Sequence, residues 1–561
     1  MLLALGAGAA SALAFAPLDI WPLGLIGLTL LVSLVVNAPG WPRAALFGWL
    51  FGVGQFAISL NWIATAFTFQ AKMPAALGWV AVLGLSLYLA LFMALPAGLA
   101  AGLARKPLAR GLLLIGAWGP AEWLRGTLLT GFAWNPLGAM WLATPVAQAA
   151  AVVGGIGLSL LALVAATALL WLGTGPSPRR RLAGIGLLAA IALVGLAGRS
   201  RIRDTAYLSA PVVVVQPGIG QDERYDPSGA ARRLAQYQEL TQRGLQQVST
   251  ATRPGLGSAA VARQLLGGGA GMRNLDSNSG FADVPGGNTN GDADPNAAAA
   301  PTRDPALIIW PEGAIDDLIE LDPAARQRVT AGMGTGDLLL AGGTGVVRGT
   351  RPPARYANSL FVLSHDGRIL GRYDKAHLVP LGEYVPWRAL LEPLGIARLV
   401  PGDYDFAAGP GPRTLRLPGF TSVSPVICYE IAFPQAVANR SERPGWIANV
   451  SNDAWFGAWG PPQHLAQARL RAIEEGLPIA RATPTGISAV IDGFGRILGS
   501  VAEGEAGVIA MTMPTPQPET LFVRMGLYPT LVTALLLLFG ALRIDRQQPP
   551  AGPRPIRRIP V

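Results

Sequence analysis

The stretch TSVSPVICYEIAF, residues 421–433, decides how the chain is read. It opens as a short apolar run with β-branched residues, the composition of a buried strand. It closes on Cys428, the only cysteine present, so no intramolecular disulfide can form. Alternation along an extended chain would put Cys428 and Glu430 on the same side. A lone free cysteine is ordinarily buried filler. Two other segments raise this one above filler. PALIIWPEGAI (305–315) sets Glu312 just after an apolar strand, and α/β folds place catalytic groups at strand C-terminal ends. YDKAHLVPLGEYVP (373–386) sets Lys375 and Glu383 among Pro and Gly residues, which alone would be only a loop with charges.

Outward from these segments the pattern continues. APVVVVQPGI (210–219), GDLLLAGGTG (336–345), NSLFVLSHDGRIL (358–370) and WIANVSNDAWFG (446–457) read as strands running into turns. Residues 228–247 are helix-like, QHLAQARLRAIEEGLPIARAT (463–483) has amphipathic helical spacing, and ISAVIDGFGRILGS (487–500) resembles a β-hairpin. Strands alternating with helices imply an α/β layered core, assigned to 204–516. Residues 249–303 are rich in Gly, Ala, Asn and Asp without periodicity. Such composition cannot bury enough apolar surface to order itself, so a flexible low-complexity insertion is expected.

The rest of the chain is of another kind. Half of all residues are hydrophobic and 14% are charged, and the imbalance is concentrated in 1–200 and 518–543. A hydrocarbon core about 30 Å thick takes roughly 20 apolar residues per helix. Candidate spans are 1–16, 20–37, 43–68, 74–103, 109–126, 145–173, 181–198 and 519–543. They give an N-terminal bundle of about seven helices (1–203) and a C-terminal crossing (517–545). Met1 to Pro17 lacks the basic n-region of a cleavable signal and reads as a retained helix. With the N-terminus cytoplasmic, the inward loops hold Arg43, Arg105, Lys106, Arg110 and Arg179 to Arg181, and a basic tail (546–561) adds more. The outward short loops hold only Lys72 and Arg125. The positive-inside rule therefore faces 204–516 outward, although Arg199, Arg201 and Arg203 run against it just before that domain. The formal charge of +10 is explained by this topology, and no nucleic-acid partner is expected.

Several motifs now stand in one order: Asn61–Trp62, EWLRG…TGFAW (122–134), WPE (310–312), the Lys375 segment, CYE (428–430), SNDAWFG (451–457) and the QH…AR…RAIE helix. Together they resemble the nitrilase superfamily, whose sites use a Glu–Lys–Cys triad, and most closely its apolipoprotein N-acyltransferase branch. The resemblance spans nearly the whole chain. It implies a multi-span α-helical membrane bundle of about eight helices carrying an extracytoplasmic α/β domain, the nitrilase αββα sandwich, in the bacterial inner membrane with the catalytic domain in the periplasm. It also implies catalytic Glu312, Lys375 and Cys428, supported by Glu383, Glu430 and Tyr429. It places Tyr356 and Asn358 near the site as substrate contacts, with ordinary turn and strand packing the equal alternative. Trp62, Phe132, Trp134, Trp387 and Trp455 are expected to line the lipid entrance, with anchoring or packing the ordinary role of each taken singly.

The implied reaction moves an acyl chain from a phospholipid donor to Cys428 as a thioester, then to the α-amine of a diacylglyceryl apolipoprotein, a ping-pong scheme. Thiolate is the attacking form. Glu312 is placed to take its proton, and Lys375 to hold the oxyanion with the Tyr429 N–H as a second donor. No metal or cofactor is expected, and a monomer is. The chain departs from the family at Tyr225, Gly313, Pro462 and Pro484. Competing readings are a membrane-tethered amidase acting on a small amide and an inactive scaffold. The membrane motifs speak against the first, and retention of all three triad residues against the second.

Overall fold

The computed structural model describes residues 1–69, 74–174, 177–224, 226–251, 303–347, 355–391, 393 and 405–547. Tyr225, Lys72, most of the expected insertion and most of the basic tail lie outside the described residues. Among those described, strands form two six-stranded sheets. The first comprises β1 (Tyr207–Gln216), β2 (Leu307–Ile309), β3 (Leu338–Val347), β4 (Arg355–Ser364), β5 (Ile369–Asp374) and β12 (Gly507–Pro514), ordered β12-β1-β2-β3-β4-β5. The second comprises β6 (Leu415–Leu417), β7 (Phe420–Ile427), β8 (Trp446–Val450), β9 (Ile479–Ala482), β10 (Ser488–Ile491) and β11 (Ile497–Val501), ordered β11-β10-β9-β8-β7-β6. β1, β2 and β3 run parallel, as do β7, β8 and β9.

The continuous valine run of β1 follows from burial on both faces. Val212 and Val214 meet Val423, Ile427 and Ala448 of the opposite sheet, while Val213 and Val215 meet Tyr237, Leu240 and Leu245 of the helix Ala230–Ala251. On the far side, Leu465, Ala468 and Ala472 of the helix Gly460–Glu475 cover Val426, Ile447 and Ile479. The layers are helix, sheet, sheet, helix. The expected sandwich is present, and so is the 487–500 hairpin, where Ser488 pairs with Val501.

Two local expectations change. The helix read over 463–483 stops at Glu475, because Gly476 takes the left-handed φ of +64° that ends helices, and 479–482 is a strand. β7 stops at Ile427, and Cys428–Ala432 form a 3₁₀ turn, so alternation does not govern Cys428 and Glu430.

The membrane part is made of α1 (Leu2–Ala12), α2 (Trp21–Val36), α3 (Trp41–Ser59), α4 (Ile63–Ala66), α5 (Leu77–Leu89), α6 (Leu91–Leu103), α7 (Pro107–Thr127), α8 (Ala150–Thr174) and α9 (Pro178–Arg201), with a last helix at Tyr528–Arg546. Four stretches are long and apolar enough to cross a membrane: Leu77–Leu103, Pro145–Thr174, Pro178–Arg201 and Tyr528–Arg546. A fifth arises if α3 and the segment Ile63–Phe69, bent by 54°, are one span. Each of the eight expected segments contains helix, but the first two fall short of a full span, α2 with 16 residues and α1 with fewer. α1 has 11 residues, roughly 17 Å at 1.5 Å per residue. Pro17 lacks an N–H and disfavours helix at Ala16, which turns the chain back early. α7 has the length, but it carries Arg110, Glu122 and Arg125.

Opposite ends of the bundle differ. At one, Arg110 donates to the carbonyls of Val36 (3.2 Å) and Ala38 (2.6 Å), and Asp545 accepts the Arg105 and Lys106 N–H groups at 2.8 Å each. At the other, Gln463 of the sandwich accepts from Trp134 Nε1 (2.8 Å) and Asn135 Nδ2 (2.9 Å) and donates to Ser59 O (3.0 Å). α8 is broken at Gly154, φ +68°, and Glu474 accepts the freed Gly155 N–H at 2.7 Å. A carboxylate of the sandwich thus caps the helix that begins there.

Candidate active site

Strand ends bring three segments together. β2 ends three residues before Glu312, and the chain passes so close to β3 that a Cβ on Gly342 would lie 2.5 Å from the Glu312 Cα. β5 ends just before Lys375, whose N–H is held by the Asn358 carbonyl at 2.8 Å. The Lys375 side chain is 1% exposed, with Nζ 3.0 Å from Glu383 Oε1 and 3.4 Å from Glu312 Oε1. Asn358 Nδ2 bridges the same two oxygens at 2.6 and 2.7 Å. Burial acts to lower the lysine pKa, but Glu312 and Glu383 outweigh it and hold it above the ordinary value. An ammonium persists here, buried.

Cys428 follows β7 with a left-handed φ of +51°, a conformation non-glycine residues keep only where their surroundings impose it. Its thiol is buried. Burial and the Glu312 carboxylate push its pKa well above the usual thiol value, Lys375 pulls the other way, and Asp453 adds to the rise. At neutral pH the resting group is a thiol that needs a base to attack. Glu430 staples the two segments: Oε1 accepts from Tyr373 Oη (2.8 Å), Ala376 N (2.7 Å) and His377 N (3.1 Å), and Oε2 from Ile427 N (2.8 Å). Those donors leave it suited to holding the turn more than to meeting an amine.

A second network lies on the other side of the turn. His464 Nε2 is 3.1 Å from the Cys428 carbonyl oxygen and Nδ1 is 2.9 Å from Asp453 Oδ1. Arg481 pairs with Asp453 Oδ2 and donates to Asn449 and, at 3.0 Å, to Ser451. Burial lowers the His464 pKa against the raising effect of Asp453. Asp453 is held below the ordinary carboxylate value, Arg481 and His464 prevailing over burial. Ligand atoms of Cys428, Asp453 and His464 converge within 4.8 Å, yet Asp453 is already committed to a guanidinium that a metal ion would have to displace. Asp453 of SNDAWFG and His464 of the QH pair carry no signal of this role in the sequence pattern. Their partnership with Arg481 spans β9, the Gly460–Glu475 helix and the loop after β8.

The expected aromatic residues fall into two groups. Trp134, fully buried, stacks near Tyr429 (6.4 Å) and His464 (5.1 Å), and Trp62 meets Trp134 (4.9 Å) and Phe456 (4.4 Å). Phe132 lies 6.4 Å from Tyr429, whose hydroxyl donates to Gly131 O at 3.3 Å. The bundle and the Cys428 turn thus share one aromatic cluster. Trp455 sits edge-on to Phe69, Trp387 is exposed, and the Tyr356 carbonyl holds Ala407 N at 2.8 Å. Two departures from the family have local reasons. Gly313 has a φ of +62° with Arg224 packed over it, and Pro462 sits in a first helical turn, where a missing N–H costs nothing. Pro484 holds Gly218 N through its carbonyl at 2.7 Å.

Comparison with known proteins agrees with this architecture. Residues 7–168 match the family model for the apolipoprotein N-acyltransferase N-terminal domain, and residues 230–517 match that for carbon-nitrogen hydrolases. An apolipoprotein N-acyltransferase of Rhodopseudomonas palustris is 36% identical over 569 residues, covering 98% of this chain and 96% of its own. Those of Bradyrhizobium diazoefficiens and Caulobacter vibrioides are each 36% identical, over 97% and 96% of this chain and 94% and 93% of theirs. Among solved structures, an amidase from Nesterenkonia sp. covers 37% of this chain and 77% of its own at 20% identity, with a TM-score of 0.26. Matched in both parts by family models and over nearly its full length by these relatives, the chain belongs to the apolipoprotein N-acyltransferase family.

Proposed function

We propose that this protein transfers an acyl chain from a phospholipid to the N-terminal amine of an S-diacylglyceryl cysteine on an apolipoprotein, by way of a thioester on Cys428. In the first half-reaction the Cys428 sulfur attacks the ester carbonyl while Glu312 takes the thiol proton. Lys375 holds the oxyanion, and Glu312 returns the proton to the departing lysophospholipid alkoxide. In the second, the α-amine attacks the thioester, Glu312 accepts its proton, and the C–S bond breaks as Glu312 passes that proton to the departing sulfur, restoring the Cys428 thiol. The observation that carries this reading is the buried Lys375 ammonium, 3.4 Å from Glu312, with Cys428 near enough to feel both charges. Glu383 and Asn358 keep that ammonium and Glu312 in register, and Glu430 keeps the two loops together.

The domains in this proposal are a bundle at 1–203, the catalytic domain at 204–516, a last crossing at 517–545 and a basic tail at 546–561. The catalytic domain faces the periplasm from the inner membrane, and the protein acts as a monomer. Gathering of Arg105, Lys106 and Arg110 at the bundle end away from the sandwich supports that orientation. The aromatic cluster of Trp62, Phe132, Trp134 and Tyr429 supports an acyl entrance from the bilayer side.

The test is incubation with labelled phospholipid and a diacylglyceryl peptide, followed by mass measurement of protein and peptide. An acyl increment on Cys428 and then on the peptide amine is expected, and Cys428→Ser should give neither. Lysophospholipid release with an unmodified peptide would sink the transferase reading in favour of hydrolysis.

A further inference from the structure

Cys428 holds a left-handed backbone without being glycine, so something must hold it there. The contact that bears on its own carbonyl comes from His464, at 3.1 Å. A carbonyl oxygen only accepts, so Nε2 carries the proton in that bond. The rest of the ring is fixed on every side. Nδ1 is then the acceptor and takes an N–H of Arg481 Nη2 at 3.1 Å, the same guanidinium pairs with Asp453, and Trp134 and Phe456 flank the ring at 5.1 and 5.8 Å. Histidine, aspartate and arginine side chains are all fully buried.

A buried histidine with satisfied nitrogens is commonly plain core. This one differs because its acceptor is the backbone of the strained residue itself. Neighbouring Gln463, on the same helix, is bonded to the bundle through Trp134, Asn135 and Ser59, so the element that carries the histidine is anchored independently.

We propose that His464 is a positioning residue for the reaction: its Nε2–H holds the Cys428 carbonyl, fixing the turn that aims the sulfur at Glu312 and Lys375. The proposal rests on Cys428 being the nucleophile. Asp453 and Arg481 act through His464, setting the plane of its ring. None of the three touches the acyl group.

The experiment compares full-length wild type, His464→Gln and His464→Met in detergent micelles containing labelled phospholipid. Glutamine and methionine are of similar length, and only glutamine can donate from the Nε2 position. Because misplacement of a reacting group by about 1 Å costs on the order of 100-fold, acyl capture on Cys428 should slow by about that factor in the methionine variant and recover to within about tenfold in the glutamine variant. The phospholipid KM should hardly move in either. Equal rates in wild type and a folded methionine variant would overturn the proposal, as would a folded glutamine variant as slow as the methionine one. Should the methionine variant not fold, the glutamine variant decides alone, by the same tenfold margin. A second arm follows alkylation of native Cys428 by iodoacetamide, which needs no acyl transfer. If wild type captured no acyl group, the acyl-transfer reading would fail, and an alkylation rate unchanged by His464→Met would then separately overturn the positioning role.

Discussion

Lys375 shows what a single residue contributes here. Its ammonium is the larger of two influences opposing the rise of the Cys428 pKa, the other being the Asn452 backbone N–H, against burial, Glu312 and Asp453. Lys375→Met should therefore push the thiol higher still. Less thiolate would exist at any given pH, and the iodoacetamide profile should move alkaline. At pH 8 the alkylation rate should fall by about tenfold or more, since each tenfold in thiolate is one pH unit. A profile superimposable on wild type would mean that Lys375 does not act on the sulfur. Glu312 and Cys428 were legible because each ends or follows an apolar strand, whereas Lys375, in a charged loop, gained meaning only through the family resemblance. Asp453, His464 and Arg481 were not legible, because their partnership is made across 11 and 17 positions of sequence by three different elements.

At the scale of elements, the helix Gly460–Glu475 does more than its amphipathic pattern suggested. Gln463, His464, Gln467, Arg471, Glu474 and Glu475 are all buried on it, because one face covers the sheet and another meets the bundle. Gln463→Ala would leave Trp134 Nε1 and Asn135 Nδ2 without their acceptor. At about 1–3 kcal/mol per orphaned group, a clear loss of thermal stability is expected in melts of the purified protein. An unchanged Tm would show that water replaces the amide. Glu475 gives a pH test. Burial and the Glu474 carboxylate raise it from an ordinary 4.5 to about 7. With the folded value the higher one, its contribution is fully present below about 4.5 and is lost as pH rises through about 7, roughly 3 kcal/mol in all. Glu475→Gln should flatten the fall in Tm between pH 5 and 8. An equally steep fall in the variant would assign it to other groups.

Taken whole, the molecule has cores that ignore the boundary between its two parts. Tyr429, Ala432, Phe433, Ala466, Leu470 and Ile473 of the sandwich lie in the same apolar cluster as Trp62, Trp134 and Leu158 of the bundle. The bundle exposes Leu83, Leu193, Leu196, Leu535 and Phe539 outward, as a surface facing lipid does. Residues 204–516 produced alone would expose the sandwich's share of the joint cluster. They are expected to aggregate on size exclusion and to lack a cooperative melt. A monodisperse, cooperatively melting fragment would show that the sandwich needs no bundle.

The sequence by itself determined the layered α/β core and the apolar bundle. Runs of buried β-branched residues and long uncharged stretches are local signals that survive without neighbours. Only the tertiary structure decided that Cys428 sits on a 3₁₀ turn with left-handed backbone, that Glu430 is consumed in stapling two loops, and that α1 stops short of a full crossing. It alone joined His464 to the Cys428 carbonyl. Hydrogen bonds and ion pairs between distant elements depend on where a side chain ends after packing, and no spacing along the chain encodes that position.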